Sequence, residues 1–264
     1  MVFFFPEQEY MDIKSVSLKK FDMSKLKEDS VVVLLGKRRS GKSILVKDIL
    51  YHKRNKVQIG SVISNTDHLS KFYEKFIPKI LIHNKYKGGI IKNMIKRQIK
   101  ASNENWKNGN AFLLMDDCLS DSRVWKRDEN IKEIFFNGRW YNFLFILTMQ
   151  APMGITPELR TNVDYTFIFK NNNARDRETI FKNYAGVFPD FKTFSKILDG
   201  CTEDYHVLVI DNTTDSNKLH DQVFFYKASF HEDFKMCSKK IWEQSDIINR
   251  AEENKKSDPS YRVF

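Results

Sequence analysis

The sequence predicts an α/β fold, a mostly parallel β-sheet with helices on both faces, and three observations carry that prediction. Short β-branched apolar runs recur along the chain and alternate with stretches of helical spacing, the pattern of a parallel sheet covered on both sides. A glycine-bearing loop joins the first buried run to the first helix. Polar residues also gather where predicted strands end: Gly36 to Ser43, Asp116 with Asp117, and Gln150. In such sheets the carboxyl ends of the strands are where ligands bind.

Taken in order, Ile13 to Leu18 alternates and predicts an edge strand, and Val31 to Leu35 is an uninterrupted run suited to a central one. Ile44 to Tyr51 follows with helical spacing. Val57 to Ser64 predicts a strand, Lys71 to Phe76 a short helix, and Lys79 to His83 a further short strand. Gly88 to Lys100 predicts an amphipathic helix, with Ile91, Ile95 and Ile99 on one face and Lys92, Lys96 and Lys100 on the other. Ala111 to Met115, Phe143 to Thr148 and Tyr165 to Phe169 read as buried strands. Helices are expected at Ala174–Tyr184 and Phe191–Leu198, and strands at Tyr205–Ile210 and Val223–Tyr226. From about Phe234 a charged helix leads into a loose tail, Lys255 to Phe264. The expected organisation is an N-terminal extension (1–30), one core domain (31–230) and a C-terminal helix with its tail (231–264).

Composition narrows the class. The 264 residues include 41% hydrophobic and 14% aromatic side chains, enough for a well-buried core. The net charge of +10 favours a polyanionic partner, because neutralising phosphates releases their condensed counterions. Cys118, Cys201 and Cys237 form no CxxC pair, which fits neither a disulfide framework nor a zinc site and points to a reducing compartment. Val2 to Phe5 stops at Pro6 without a basic flank, too short for a signal peptide, and no run has the length of a membrane span. A cytosolic protein, or one working at an intracellular assembly site, is expected.

Gly36-Lys37-Arg38-Arg39-Ser40-Gly41-Lys42-Ser43 fits the complete phosphate-loop pattern G-x-x-x-x-G-K-[ST], in the strand–loop–helix context that confirms it. Its small residues let backbone N–H groups wrap the phosphates of ATP at the positive end of the helix. Lys42 is expected to reach the β- and γ-phosphates and Ser43 to ligate Mg²⁺. The predicted fold is thereby a P-loop NTPase with a RecA/ASCE-like core. Phe112 to Met115 ends on two carboxylates: Asp116 suits the metal, and Asp117 suits the base that polarises an attacking water. Gln150, at the end of the next strand, is placed to orient water or sense the γ-phosphate. Arg139 precedes that strand and Arg160 follows it. Either suits an arginine finger reaching a neighbouring subunit, and spacing alone does not choose between them.

Taken together, Gly36–Ser43, Leu113–Cys118, Phe136–Trp140 with Thr148–Gln150, and Gly154–Asp164 resemble the poxvirus-type genome-packaging ATPases of the FtsK–HerA superfamily, found across nucleocytoplasmic large DNA viruses and virophages. The resemblance spans roughly residues 15–210. It implies an ATP-driven motor that acts as a homo-oligomeric ring, a pentamer or hexamer, and pumps double-stranded DNA without sequence preference into a preformed capsid. It further implies docking on a capsid vertex or portal component and work at viral assembly sites in the host cytoplasm. It maps Lys42 and Ser43 to nucleotide, Asp116 and Asp117 to metal and base, and Gln150 to the sensor, and it favours Arg139 as the finger. Trp140 departs from the histidine of many relatives, and Asp117 from their frequent glutamate.

A backbone-gripping motor needs basic side chains rather than a base-reading motif. Arg123, Lys126 and Arg127, directly after the acidic pair, are the first candidates for DNA contact, and Lys92, Lys96 and Lys100 the second. Solvated basic surface is the plain alternative for each. Three rival functions remain open: a small-molecule P-loop kinase with Arg175 and Arg177 as lid arginines, another DNA pump or helicase, and a non-catalytic assembly factor. The acidic pair followed by a glutamine strand counts against the first, and intact Lys42, Asp116 and Asp117 count against the third.

Overall fold

The computed structural model describes residues 10–13, 16–107, 109–118 and 122–257. Their first half contains β1 (Tyr10–Ile13), β2 (Val16–Lys20), β3 (Val31–Leu35), α1 (Lys42–Lys53), β4 (Ile59–Ser64), α2 (Asp67–Ser70), β5 (Ile82–His83), α3 (Gly88–Asn103) and β6 (Ala111–Asp116). The second half contains α4 (Ser122–Trp125), α5 (Glu129–Asn137), β7 (Phe143–Met149), α6 (Pro157–Arg160), β8 (Tyr165–Ile168), α7 (Ala174–Tyr184) and α8 (Phe191–Cys201). It closes with β9 (His206–Asp211), α9 (Leu219–Gln222), β10 (Val223–Lys227) and α10 (Lys239–Ser257).

All the strands join one sheet in the order β1-β2-β10-β9-β8-β3-β7-β6-β4-β5. From β8 through β3 to β5 every neighbour is parallel. The other flank is mixed: β9 runs antiparallel to β8 and β10, β2 lies parallel to β10, and β1 antiparallel to β2. Strand β3, entirely buried, lies between β7 and β8 because its side chains are apolar on both faces. Alternate residues feed two cores. Val31, Val33 and Leu35 join a layer closed by α3, α5, α7 and α8, whereas Val32 and Leu34 join one closed by α1.

The structure departs from the sequence-based expectation in five places. The segment Ile13 to Leu18 contributes to two strands of an antiparallel pair rather than one edge strand. Lys71 to Phe76 holds only a 3₁₀ turn, Tyr73–Lys75, the α-helical turn lying earlier at α2. Lys79–Leu81 is likewise a 3₁₀ turn, leaving two residues for β5. Ile99 is 42% exposed, and Gln98 and Ala101 take its place on the buried face of α3. Each step of four residues overshoots a full helical turn by about 40°, so a strict i+4 row drifts off the core. Finally, α4 and α5 were not anticipated, although Asp128 caps α5 and Ile131, Ile134 and Phe135 have helical spacing.

Residues counted as an N-terminal extension supply β2 and the buried side chains of Phe21, Met23 and Leu26. Beyond β10, Met236 is buried, Phe234 packs on Phe76, and Ser245 of α10 accepts from the Ile80 N–H at 3.3 Å. Val2 to Phe5 and the tail beyond Ser257 lie outside the described residues. No described helix is long and apolar enough to cross a membrane.

Candidate active site

Sheet order assembles the site. With β7 between β3 and β6, the carboxyl end of β7 lies between the phosphate loop and the acidic pair. The Gly36 N–H donates to the Met149 carbonyl at 3.0 Å and ties the loop to β7. A Cβ at Gly36 would stand 2.6 Å from Ser40 Oγ and 2.8 Å from Phe169 Cβ, so only glycine fits there. Gly41, at φ 98°, opens α1 from the left-handed region that glycine enters without strain. Lys37, Arg38 and Arg39 are exposed along the outside of the loop.

Lys42 is buried, and its ammonium donates to the Gly36 and Lys37 carbonyls at 2.7 Å each. Burial lowers its pKa, countered by Asp116 and Asp117. Ser40 Oγ is buried with no partner, which suits a hydroxyl waiting for a phosphate oxygen.

The acidic pair is held by groups from β7 and its end and from the 3₁₀ turn Tyr73–Lys75. Asp116 ends β6 and is buried; it accepts from Thr148 Oγ1 at 2.6 Å and from the Tyr73 hydroxyl at 2.8 Å. Burial raises its pKa, and those two hydrogen bonds oppose the rise. The same Thr148 hydroxyl accepts from the Asp117 N–H at 3.0 Å. Asp117 turns the chain at φ 52°, a conformation aspartate tolerates better than most residues. Gln150 Nε2 donates to Asp117 Oδ1 at 2.5 Å. The Tyr73 hydroxyl also reaches Ser43, and burial holds it protonated well above its ordinary pKa. Ser43 and Asp116 therefore meet at one hydroxyl. Two hard oxygen donors in that position fit Mg²⁺, as does Ser64, level with Asp116 on β4, whose buried hydroxyl has no partner.

Sequence reasoning brought Lys42, Ser43, Asp116, Asp117 and Gln150 to one place, and the structure brings them together. It missed Tyr73 and Asp67. Asp67 Oδ1 accepts from the Tyr73 N–H at 2.9 Å and sets the turn that aims the tyrosine. No local pattern marks either residue, since Tyr73 acts on Asp116 from 43 positions away and Asp67 acts through Tyr73. The arginines separate. Arg139 is exposed at the amino ends of β3 and β7, beside Asp164 and away from its own phosphate loop. Arg160 is engaged within its own chain, donating to the Ile155 carbonyl at 2.8 Å with its guanidinium 5.8 Å from the Tyr184 ring centre. Arg177 is ion-paired with Asp199 on α8.

The basic candidates lie elsewhere. Lys92, Lys96 and Lys100 are exposed along α3. In the segment after the acidic pair, Trp125 is fully buried and donates to the Cys118 carbonyl at 2.8 Å, so it anchors the segment rather than meeting a ligand. Arg127 is exposed, Lys126 half-buried, and the side chain of Arg123 lies outside the described residues.

Comparison with known proteins bears on the fold and the family. The genome packaging NTPase B204 from Sulfolobus turreted icosahedral virus 2, solved with ATP-gammaS, superposes with a TM-score of 0.58 at 18% identity, covering 78% of this chain and all of that one. The EccC ATPases 2 and 3 of Thermomonospora curvata superpose with a TM-score of 0.54 at 12% identity, over 92% of this chain and 46% of that one. These likenesses establish the fold of a P-loop ATPase. By sequence, the chain is 39% identical over 226 residues to the uncharacterized protein L437 of Acanthamoeba polyphaga mimivirus, covering 83% of this chain and 79% of that protein. It is 36% identical over 227 residues to protein 075L of Invertebrate iridescent virus 6, covering 82% and 88% respectively. The model of the poxvirus A32 protein family matches residues 18–232, and the chain belongs to that family.

Proposed function

We propose that this protein is a genome-packaging ATPase, a motor that spends ATP to drive double-stranded DNA into a viral capsid. One observation carries the reading. Thr148, on the strand between the phosphate loop and the acidic pair, bonds both carboxylate residues, and Gln150 two positions later bonds Asp117. A strand so wired responds to what the phosphates do, which a small-molecule kinase does not need. The described B204 neighbour is a genome packaging NTPase, and the net charge of +10 suits a DNA partner.

In this reading the loop N–H groups and Ser40 receive the phosphates, and Lys42 leaves the Gly36 and Lys37 carbonyls for the β- and γ-phosphate oxygens. Ser43 and Asp116 would hold Mg²⁺, which neutralises phosphate charge when bound. Asp117 takes the proton of the attacking water, and the Gln150 amide orients the Asp117 carboxylate for that task. Arg139, remote from its own loop, serves the neighbouring subunit's γ-phosphate in a ring, pentameric or hexameric. Arg127 and Lys126, with Arg123, grip the DNA backbone without reading sequence, and Lys92, Lys96 and Lys100 form the second basic surface. The ring docks at a capsid vertex or portal component, at assembly sites in the host cytoplasm.

The test pairs phosphate release with particle mass, with and without duplex DNA and nucleotide. Hydrolysis that rises with DNA, from a species several chains in mass, is the expected result. A monomer whose hydrolysis ignores DNA would refute the motor.

A further inference from the structure

Beside the phosphate loop lies an apolar cleft of about 400 Å³, walled by the start of α1 on one side and by the ends of β9 and β10 on the other. Two large aromatic side chains stand at it almost bare: Tyr205 is 73% exposed and Phe230 89%. Exposed aromatics together on one cleft are a ligand signature rather than a packing one. Tyr205 is held there by an unusual backbone. Asp204 and Tyr205 adopt φ 47° and 61°, and the turn closes through the His206 N–H to the Glu203 carbonyl at 2.9 Å. A bulky residue in the left-handed region is a real outlier, and such outliers collect at ligand clamps. The turn seats the ring against the phosphate loop, where a methyl at Gly41 would stand 3.7 Å from Tyr205 Cδ1 and 3.8 Å from Phe169 Cε1.

We infer that this cleft is the base subsite of the nucleotide, and that Tyr205 and Phe230 hold a purine ring by stacking. The inference rests on the nucleotide reading of Lys42 and Ser43, both of which line the same cleft, so a triphosphate on the loop carries its nucleoside into it. The chemistry of the wall also states a specificity. Its side chains are apolar, hydroxylic or cationic, with no carboxylate and no amide facing the base. The Ser43 and Tyr205 hydroxyls are the side-chain groups there that both donate and accept, and a hydroxyl rotates to suit either purine edge. Stacking favours the larger purine face, so ATP and GTP bind alike and both bind better than CTP or UTP.

The test compares ATP, GTP, CTP and inorganic tripolyphosphate, each with Mg²⁺, by calorimetry and by phosphate release. The parent is expected to bind ATP and GTP within a few-fold of each other, and both roughly tenfold or more tighter than tripolyphosphate. The double variant Tyr205→Ala, Phe230→Ala should lose that increment for ATP while keeping its affinity for tripolyphosphate, which shows that the loop is still folded. Tyr205→Phe, which keeps the ring, should retain ATP affinity. Lys42→Ala weakens both ligands and so reports on the phosphate site alone. If the parent binds tripolyphosphate as tightly as ATP, or the double variant keeps full ATP affinity, the base subsite is refuted while the phosphate loop stands. ATP preferred to GTP by a hundredfold would refute the stacking specificity. A parent that binds neither ligand overturns the nucleotide reading and this inference with it.

Discussion

Replacing Thr148 by valine keeps the shape of the side chain and removes one hydroxyl that serves two partners. Asp116 is buried and would lose one of its two side-chain donors. A hydrogen bond to a charged group contributes about 1.5–3 kcal/mol. The Asp117 N–H would lose its acceptor, which costs about 1–3 kcal/mol if no water replaces it. The added methyl recovers roughly 0.8 kcal/mol. The expected destabilisation is about 2–5 kcal/mol, a large share of the ~5–15 kcal/mol that keeps a domain folded. In urea unfolding this moves the midpoint down by about 1 M without changing the slope. Hydrolysis should fall as well, since the left-handed turn at Asp117 loses its tie to β7. Thr148→Ser keeps the hydroxyl and should recover most of both. A valine variant within about 0.5 kcal/mol of the parent, or a serine variant as impaired as valine, would show that the bridge does not hold the acidic pair.

Four further outcomes are expected. Lys42→Ala should abolish hydrolysis while the protein still folds, and Asp117→Asn should bind ATP but turn it over very slowly; turnover at the parent rate would remove Asp117 as the base. Mixing Arg139→Ala with Lys42→Ala subunits should restore hydrolysis if the arginine acts across an interface, and no recovery over a range of ratios would count against it. Replacing Arg123, Lys126 and Arg127 with alanine should weaken duplex binding equally for all sequences and flatten its dependence on salt; an unchanged salt slope moves the DNA contact to Lys92, Lys96 and Lys100. His52 and His83 both have lowered pKa values, each chiefly through burial. The unfolded chain takes up their protons as pH falls through about 6.5 while the folded chain does not. Their contribution is present above that pH and is lost as pH falls through the folded values, so the urea midpoint should drop from pH 7 to 5.5. A flat profile, or an equal drop in the His52→Gln, His83→Gln variant, would assign the effect elsewhere.

The sequence alone determined the parallel core of the sheet, the phosphate loop and the two carboxylates. Runs such as Val31–Leu35 and Phe112–Met115 are apolar at every position, and only a strand buried on both faces uses such a run fully. The loop is legible because its chemistry is local: glycines, lysine and serine act within eight consecutive residues. Tertiary structure decided the rest. It set β7 between β3 and β6, and only that order turns Thr148 into a bridge and brings Gln150 to Asp117. It carried Tyr73 from the turn after β4 to Asp116 at the end of β6, a contact between residues 43 positions apart that no periodicity encodes. It separated two arginines that spacing left equivalent, leaving Arg139 exposed and tying Arg160 to its own chain. Pattern along a chain records which face a side chain turns to the core. Which distant side chain it meets there depends on strand order, and strand order is settled only when the whole sheet packs.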